Sequence, residues 1–533
     1  MSNPRKIRDY DLEKIKTVPK NSIFRLIFSR ICISALLIIL QVVVLAAVTF
    51  SWSERHTKEV ILLFMVLASA GIFIVILNSE SNPTYKISWI IPVALLPFFG
   101  SMLYLLSHYN IGSIASTKAV RQSLEDTEKY SRTAPEVRDA LRAQNRRVSA
   151  LSQYIENAGG YASYRNTSVT YFPLGDDAFP EIVRQLEKAE SFIFLEFFII
   201  REGIFWNTIL EILQRKARSG VEVRVMYDDI GCMTTLPRDY VSTLTSMGIK
   251  AKTFAKVTPF FSTHYNNRDH RKILVIDGKA AFSGGINLAD EYINKEERFG
   301  KWKDNCFLLQ GDAVRNYTLM FLQLWNTTVS QDAKLYQPYV SVRSDRVPRE
   351  GDGFIIPYGD GPHSPVSVAQ SIYLNIIHSA VDYVHIMTPY LVLDDEMLNA
   401  LKRAAKSGID VRILLPYIPD KKTVNLIGKT YYPELLEAGV HIYEYTPGFV
   451  HSKVVEADGN IAAVGTINLD FRSLYLHYEC ACLIFENDVL KDITEDFHRT
   501  FADSHRITMS DYKKMNLMKR FAGRVLRVFA PQV

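Results

Sequence analysis

Cysteine is scarce, with five in 533 residues. Cys32, Cys232, Cys306, Cys480 and Cys482 are scattered, odd in number and form no C-x-x-C pair. That excludes a disulfide framework and a structural zinc site. An excess of one charge is also missing: 62 Lys+Arg stand against 57 Asp+Glu, a formal net charge of +5. The chain as a whole is no polyelectrolyte, and any basic patch must be local. With 48% hydrophobic and 22% charged residues it is neither disordered nor collagen-like. Its length calls for at least two domains.

What is present is unevenly spread. Residues 31–50 (ICISALLIILQVVVLAAVTF) carry no charge, and apolar runs follow at 60–77 and 87–106. At about 1.5 Å per residue each is long enough for about 30 Å of hydrocarbon. The expectation is a helical membrane anchor over 31–106 with two or three transmembrane helices, behind a basic segment, 1–30. That segment holds eight Lys/Arg against three acids, which puts the N-terminus in the cytoplasm. Three full spans would leave the rest outside; a re-entrant run would leave it inside. Residues 107–160 read as a polar helical linker of exposed helices. From Val169 onward, β-branched runs alternate with helical patterns, as in SFIFLEFFII at 191–200 and GVEVRVMY at 220–227. This predicts an α/β fold with crossover helices.

The α/β part is written twice. Ser219-Gly-Val-Glu-Val-Arg-Val225 returns as Ser407-Gly-Ile-Asp-Val-Arg-Ile413, with matching strands before and after. Two similar lobes follow, expected at 161–340 and 341–510. Each copy carries one further motif. His270-x-Lys272 leads to Asp277 and then Gly284-Gly285-Ile-Asn287. His451-x-Lys453 leads to Asp458 and then Gly465-Thr466-Ile-Asn468. Both fit H-x-K-x4-D-x6-G-[GT]-x-N.

His and Lys two apart on a strand share a face. An imidazole, a fixed ammonium and a returning Asn amide form a phosphoryl-sized pocket. Two lobes about a pseudo-twofold axis would set the two imidazoles on opposite sides of one phosphorus. A metal site is disfavoured: H-E-x-x-H is absent, and an ammonium beside each His repels cations.

The duplicated motif resembles the phospholipase D superfamily, and the wider chain resembles the bacterial cardiolipin synthases. Leu195–Ile199, Tyr227–Gly231, Asn267–Lys272, Gly284–Tyr292, Trp302-Lys-Asp304, Thr388-Pro-Tyr390 and Asn468–Ser473 carry the likeness. The extra run at 31–50 and Thr466, where Ser is common, depart from it. The resemblance implies α-β-α lobes and double displacement on a phosphodiester without a cofactor or metal. His270 would be the nucleophile and His451 the acid and base. Lys272, Lys453, Asn287 and Asn468 would bind phosphoryl oxygens. Asp304 and Glu479 would orient the imidazoles. Asp277 and Asp458 complete the catalytic signature and read as holders of a turn. Gly285, Thr466, Asp470, Arg472, Ser473 and Glu196 would support the pocket.

The implied reaction joins two phosphatidylglycerol molecules into cardiolipin and glycerol. The implied partners are phosphatidylglycerol and other anionic lipids, with no nucleic acid. The implied location is the bacterial cell membrane, embedded and multi-pass. Water or another alcohol as acceptor is the alternative, as in a phospholipase D; a membrane-tethered phosphodiesterase or nuclease is a further rival. The tail 511–533 has six Lys/Arg and no acid from Tyr512 onward. Met518, Phe521, Ala522, Val525 and Phe529 share one helical face. This is an amphipathic helix, set either on an anionic leaflet or against the lobes.

Overall fold

The computed structural model describes residues 55–108, 111–255, 267–328, 335–344, 346–364 and 366–532, with Ile39, Val43 and Ala46. The basic segment 1–30 and, apart from those three residues, the run 31–50 lie outside the described residues. Three helices follow: α1 (Arg55–Asn78), α2 (Pro83–Leu95) and α3 (Pro97–His108). The run 87–106 is broken in its middle, because Pro97 drives Leu96 out of the helical region. The two pieces, of 13 and 12 residues, reach about 20 Å each. They fold back on one another, with Trp89 and Tyr104 edge to face at 5.5 Å. α1 opens on the polar stretch Arg55–Glu59 and buries Ile76 in the same small cluster.

Among the described residues no helix is long and apolar enough to cross a membrane. The transmembrane anchor expected over 31–106 is corrected on this ground, and the membrane-embedded, multi-pass cell-membrane expectation goes with it. Length and apolarity were read without the break before Pro97.

Residues 111–154 are helical, but they dock instead of standing exposed. The helix Ile111–Thr127 packs on the helix Val314–Trp325, with Ser123 Oγ 2.8 Å from Tyr336 Oη and Gln323 Nε2 donating to Thr127 Oγ1 at 2.8 Å.

The first lobe has strands β1 (Thr167–Phe172), β2 (Phe192–Phe197), β3 (Glu222–Asp228), β4 (Lys250–Phe254), β5 (Lys272–Ile276), β6 (Ala280–Gly284), β7 (Lys301–Lys303) and β8 (Cys306–Gly311). The second has β9 (Phe354–Asp360), β10 (Tyr383–Met387), β11 (Asp410–Pro416), β12 (His441–Tyr445), β13 (Gly448–Val450), β14 (Val454–Ala457), β15 (Ile461–Gly465), β16 (Glu479–Phe485) and β17 (Ser504–Ile507). One sheet runs β1-β8-β6-β5-β2-β3-β4 and the other β9-β16-β15-β14-β10-β11-β12-β17. The order is the same, with β17 added at one edge. In each, three parallel strands joined by crossover helices meet an antiparallel half. The helix Val314–Trp325 is buried on all but one residue and packs on β5 of one sheet and β9 of the other. One apolar core therefore runs through both lobes.

Asp277 and Asp458 do the same work in each copy. Both sit at positive φ, 54° and 53°, in the turn after the His-x-Lys strand. Asp277 accepts from the backbone N–H of Glu190, Ser191 and Phe192 at 2.7–2.8 Å. Asp458 accepts from Val381, Asp382 and Tyr383 at 2.8–2.9 Å. They tie the entrance of the central strand to the motif strand. Asp277→Ala should lower the unfolding free energy by about 3 kcal/mol, through three lost charged acceptors and an Ala at positive φ. Urea unfolding followed by tryptophan emission checks this; a change below about 0.5 kcal/mol would count against the tie.

Candidate active site

The last residues before each motif pair with the other lobe. β13 lies parallel to β7, and His451 N donates to Lys303 O at 2.7 Å. In the mirror position Asp269 bridges Tyr478, and His270 N donates to Tyr478 O at 2.9 Å. These bridges carry each histidine to a carboxylate of the opposite lobe. His270 Nδ1 lies 2.9 Å from both oxygens of Glu479. His451 Nδ1 lies 2.7 Å from Asp304 Oδ2. The orienting acids thus cross over: the one following each histidine in sequence serves the other histidine.

Both imidazoles line one cavity of about 740 Å³, with Asn287, Asn468, Asp470, Arg472 and Ser473. Lys272 Nζ donates to His270 O at 2.7 Å, and Lys453 Nζ donates to His451 O. Each ammonium is held by the main chain of its own histidine. Asn287 Nδ2 donates to Tyr292 Oη at 2.8 Å and Asn468 Nδ2 to Ser473 Oγ at 3.0 Å. One amide hydrogen on each is thereby engaged. Asp470 caps the helix Phe471–Tyr475 by accepting from Ser473 N at 2.7 Å.

The two halves differ in detail. Thr466 Oγ1 donates to Glu479 Oε2. At the matching position is Gly285, where a Cβ would stand 1.8 Å from Asp304 Oδ1. Glu196, expected in support of the pocket, is not among the lining residues. It is fully buried, shares its sheet face with Arg271, and has Arg271 Nη1 at 4.0 Å. Asp277 and Asp458 likewise lie outside the cavity lining, and so do the buried Lys272, Lys453, Asp304, Glu479, Gly285 and Thr466, of which the lysines and acids meet the cavity only through the histidines they bond.

Burial dominates the electrostatics. It pulls His270 well below the usual imidazole range, helped by Lys272, and His451 down to about 4, helped by Lys453. The lysines fall for the same reason, Lys272 to about 8 and Lys453 to about 7. Burial pushes Glu479 well up against the pull of Lys272. Asp304 shows the opposite balance: burial would raise it, yet His451 and Lys453 hold it below the ordinary value.

Sequence reading missed His477, Arg298 and Lys421, which also line the cavity. His477 packs on His270 at 5.7 Å, as Trp302 packs on His451 at 5.7 Å. Each stands two residues before a carboxylate, so strand alternation was the available signal. His270, His477 and Glu479 bring ligand-type atoms within 4.8 Å of one another. They fit a metal poorly, because Glu479 is already bonded to His270 and two ammoniums bear on the same ring.

Two similar lobes of the same strand order, with histidine, lysine and carboxylate pooled between them, define a duplicated α/β fold. The phosphatidylserine synthase of Haemophilus influenzae Rd KW20 shares that fold, with a TM-score of 0.54 at 14% identity over 72% of this chain and 97% of that one. A family model described as "Cardiolipin synthase, PLD-like domain" matches residues 182–325 and 373–501, and a "Phospholipase_D-nuclease N-terminal" model matches 66–107. The cardiolipin synthase of Geobacillus kaustophilus is 35% identical over 93% of this chain and 98% of its own length. Cardiolipin synthase 2 of Bacillus anthracis is 33% identical over 86% and 88%. An uncharacterized protein of Streptococcus mutans is 46% identical over 86% and 99%. The chain belongs to the phospholipase D / cardiolipin synthase superfamily, carries its domain twice, and is a phosphatidyltransferase.

Gly285→Ala should displace the Asp304 carboxylate and cut turnover at least about 100-fold with an unchanged circular dichroism spectrum. Thr466→Ser, which keeps the donor to Glu479, should stay within about threefold. Full activity in Gly285→Ala would show that the Asp304 position is not required.

Proposed function

We propose that the protein is a cardiolipin synthase, transferring a phosphatidyl group from one phosphatidylglycerol to the glycerol headgroup of another. The reading rests above all on one observation: two imidazoles from different lobes, each bound at Nδ1 by the other lobe's carboxylate, share one cavity. The cardiolipin synthase relatives named above support the choice of substrate.

His270 Nε2 attacks phosphorus and the bond to the headgroup oxygen breaks. His451 gives its Nε2 proton to the leaving glycerol. The hydroxyl of a second phosphatidylglycerol then loses its proton to His451 and attacks phosphorus, and His270 departs. The phosphohistidine conserves the bond energy, so no nucleotide is consumed. Support for these roles comes from the titration asymmetry. Burial lowers both imidazoles, but the Asp304 carboxylate is held below its ordinary value and favours a cationic His451, whereas burial pushes Glu479 beside His270 up. Lys272 and Lys453, with the free amide hydrogens of Asn287 and Asn468, neutralise the phosphoryl oxygens.

Incubation with phosphatidylglycerol should give cardiolipin and glycerol. Phosphatidic acid alone would make water the acceptor, and absence of lipid products would end the reading. Mass spectrometry of the trapped enzyme should find the phosphoryl group on His270; on His451 it would reverse the two roles.

The crossed carboxylates make a sharper forecast. Asp304→Asn should slow glycerol release about 10³-fold, yet a donor with a p-nitrophenol leaving group should still give a burst, because that group needs no proton. Glu479→Gln should suppress both. Equal losses in the two variants would contradict separate duties.

The lysines set a pH limb. Their lowered values mean that the Lys453 cation is full well below pH 7, half lost at about 7 and gone well above it, with Lys272 following at about 8. KM for the anionic donor should therefore rise as pH increases through 7 to 8. A KM that is flat from pH 6 to 9 would remove the lysines from substrate binding.

A further inference from the structure

The C-terminal helix Leu517–Val528 is docked on one side and bare on the other. Its inner side touches the helix Lys422–Gly428, and a Cβ on Gly523 would stand 3.0 Å from Leu426 O and Thr430 Cγ2. Arg527 reaches Glu434 Oε1 at 3.2 Å and covers the Tyr431 ring. On the outer side Leu517, Met518, Phe521, Val525 and Val528 are exposed, Met518 by 73% and Phe521 by 65%. At 3.6 residues per turn these five fall within an arc of about 100°. Arg524 is exposed on one flank of this arc, and Lys519 is exposed about 100° beyond Met518 on the other side. From Tyr512 to the end the chain has six cations and no acid. Directly after the helix, Ala530 lines the catalytic cavity, and Gln532 Nε2 bonds to Ser88 Oγ of α2 at 3.2 Å.

We propose that this outer face docks on an anionic lipid bilayer and holds the catalytic cavity against the headgroup layer. Five large apolar side chains on one docked helix form an unpartnered surface. Arg527 is engaged with Glu434, but the exposed Arg524 at the edge of the arc and Lys519 beyond it favour a surface of negative charge, and the Arg524 stem can extend along the apolar arc. This is the geometry of a helix lying in the plane of an interface, not through it. The nearness of Ala530 gives the docking a purpose. A phospholipid drawn from the leaflet meets the cavity at the place where the helix ends. The surface serves any phospholipid substrate and does not depend on which alcohol accepts the phosphatidyl group.

The full chain carrying Cys32→Ser and Phe521→Cys takes a nitroxide label at position 521, since the other four cysteines are buried. Adding phosphatidylglycerol vesicles should raise its collision rate with oxygen and lower that with a nickel chelate; phosphatidylcholine vesicles should do so far less. No change, or equal loss towards both reagents as when a protein covers the face, overturns the proposal. In a second arm, Met518→Glu/Phe521→Glu/Val525→Glu should turn over vesicular phosphatidylglycerol at least tenfold more slowly, yet stay within about threefold on a monomeric short-chain form. Unchanged vesicle rates, or equal losses on both substrates, count against it. The nitroxide readout needs no turnover, so an error in the assigned reaction leaves it intact.

Discussion

The contact on which the molecule depends is the hydrogen bond from each imidazole to a carboxylate of the opposite lobe. His270 meets Glu479 at 2.9 Å and His451 meets Asp304 at 2.7 Å, across 209 and 147 residues of chain. A single lobe would hold a histidine with no partner to fix its tautomer. The two short parallel pairings, β13 with β7 and Asp269 with Tyr478, set this distance through main-chain bonds, independently of side-chain packing. The shared core around the helix Val314–Trp325 then keeps the two sheets from sliding. Fold stability and site geometry are in this sense one property. A shift of the lobes by one residue would unpair both histidines together.

The two halves of the site are related by duplication but are not alike, and small departures from symmetry set them apart. The shorter Asp304 stands against Gly285, where nothing but hydrogen fits. The longer Glu479 stands against Thr466, whose hydroxyl donates to it. One carboxylate remains ionised beside its histidine, while the other is pushed up by burial. At the ring packed on each histidine, Trp302 is replaced by His477. The same strand order therefore carries two chemically unequal halves.

Much of this was legible in the sequence. The repeat of Ser219–Val225 at Ser407–Ile413 announced two sheets, and the two sheets have the same strand order. The H-x-K spacing placed each lysine beside its histidine, and Asp277 and Asp458 were read as holders of a turn, while their bonds to the entrance of the central strand were not legible. The crossing of Asp304 and Glu479 was not legible. Distance along the chain favours the nearer histidine, and only the inter-lobe bridges reverse the choice. Glu196 was read towards the centre, because a carboxylate on a central strand looks functional. Alternation from Lys272 instead puts it on the Arg271 face. Three apolar runs suggested membrane spans, but a run is not a helix: the geometry before Pro97 turns 87–106 into two short segments packed on each other.

The remaining question is why two ammoniums are kept where burial disfavours them. Each is fixed to a main-chain carbonyl of its own histidine, which supplies a hydrogen bond but no neutralising charge. Their values near 8 and 7 express that cost directly. The charges that offset this burial belong to carboxylates already bonded to the histidines: Glu479 pulls Lys272 up and Asp304 pulls Lys453 up. Each ammonium is fixed by its own main chain, so its field has one direction and needs no rearrangement to act on negative charge nearby.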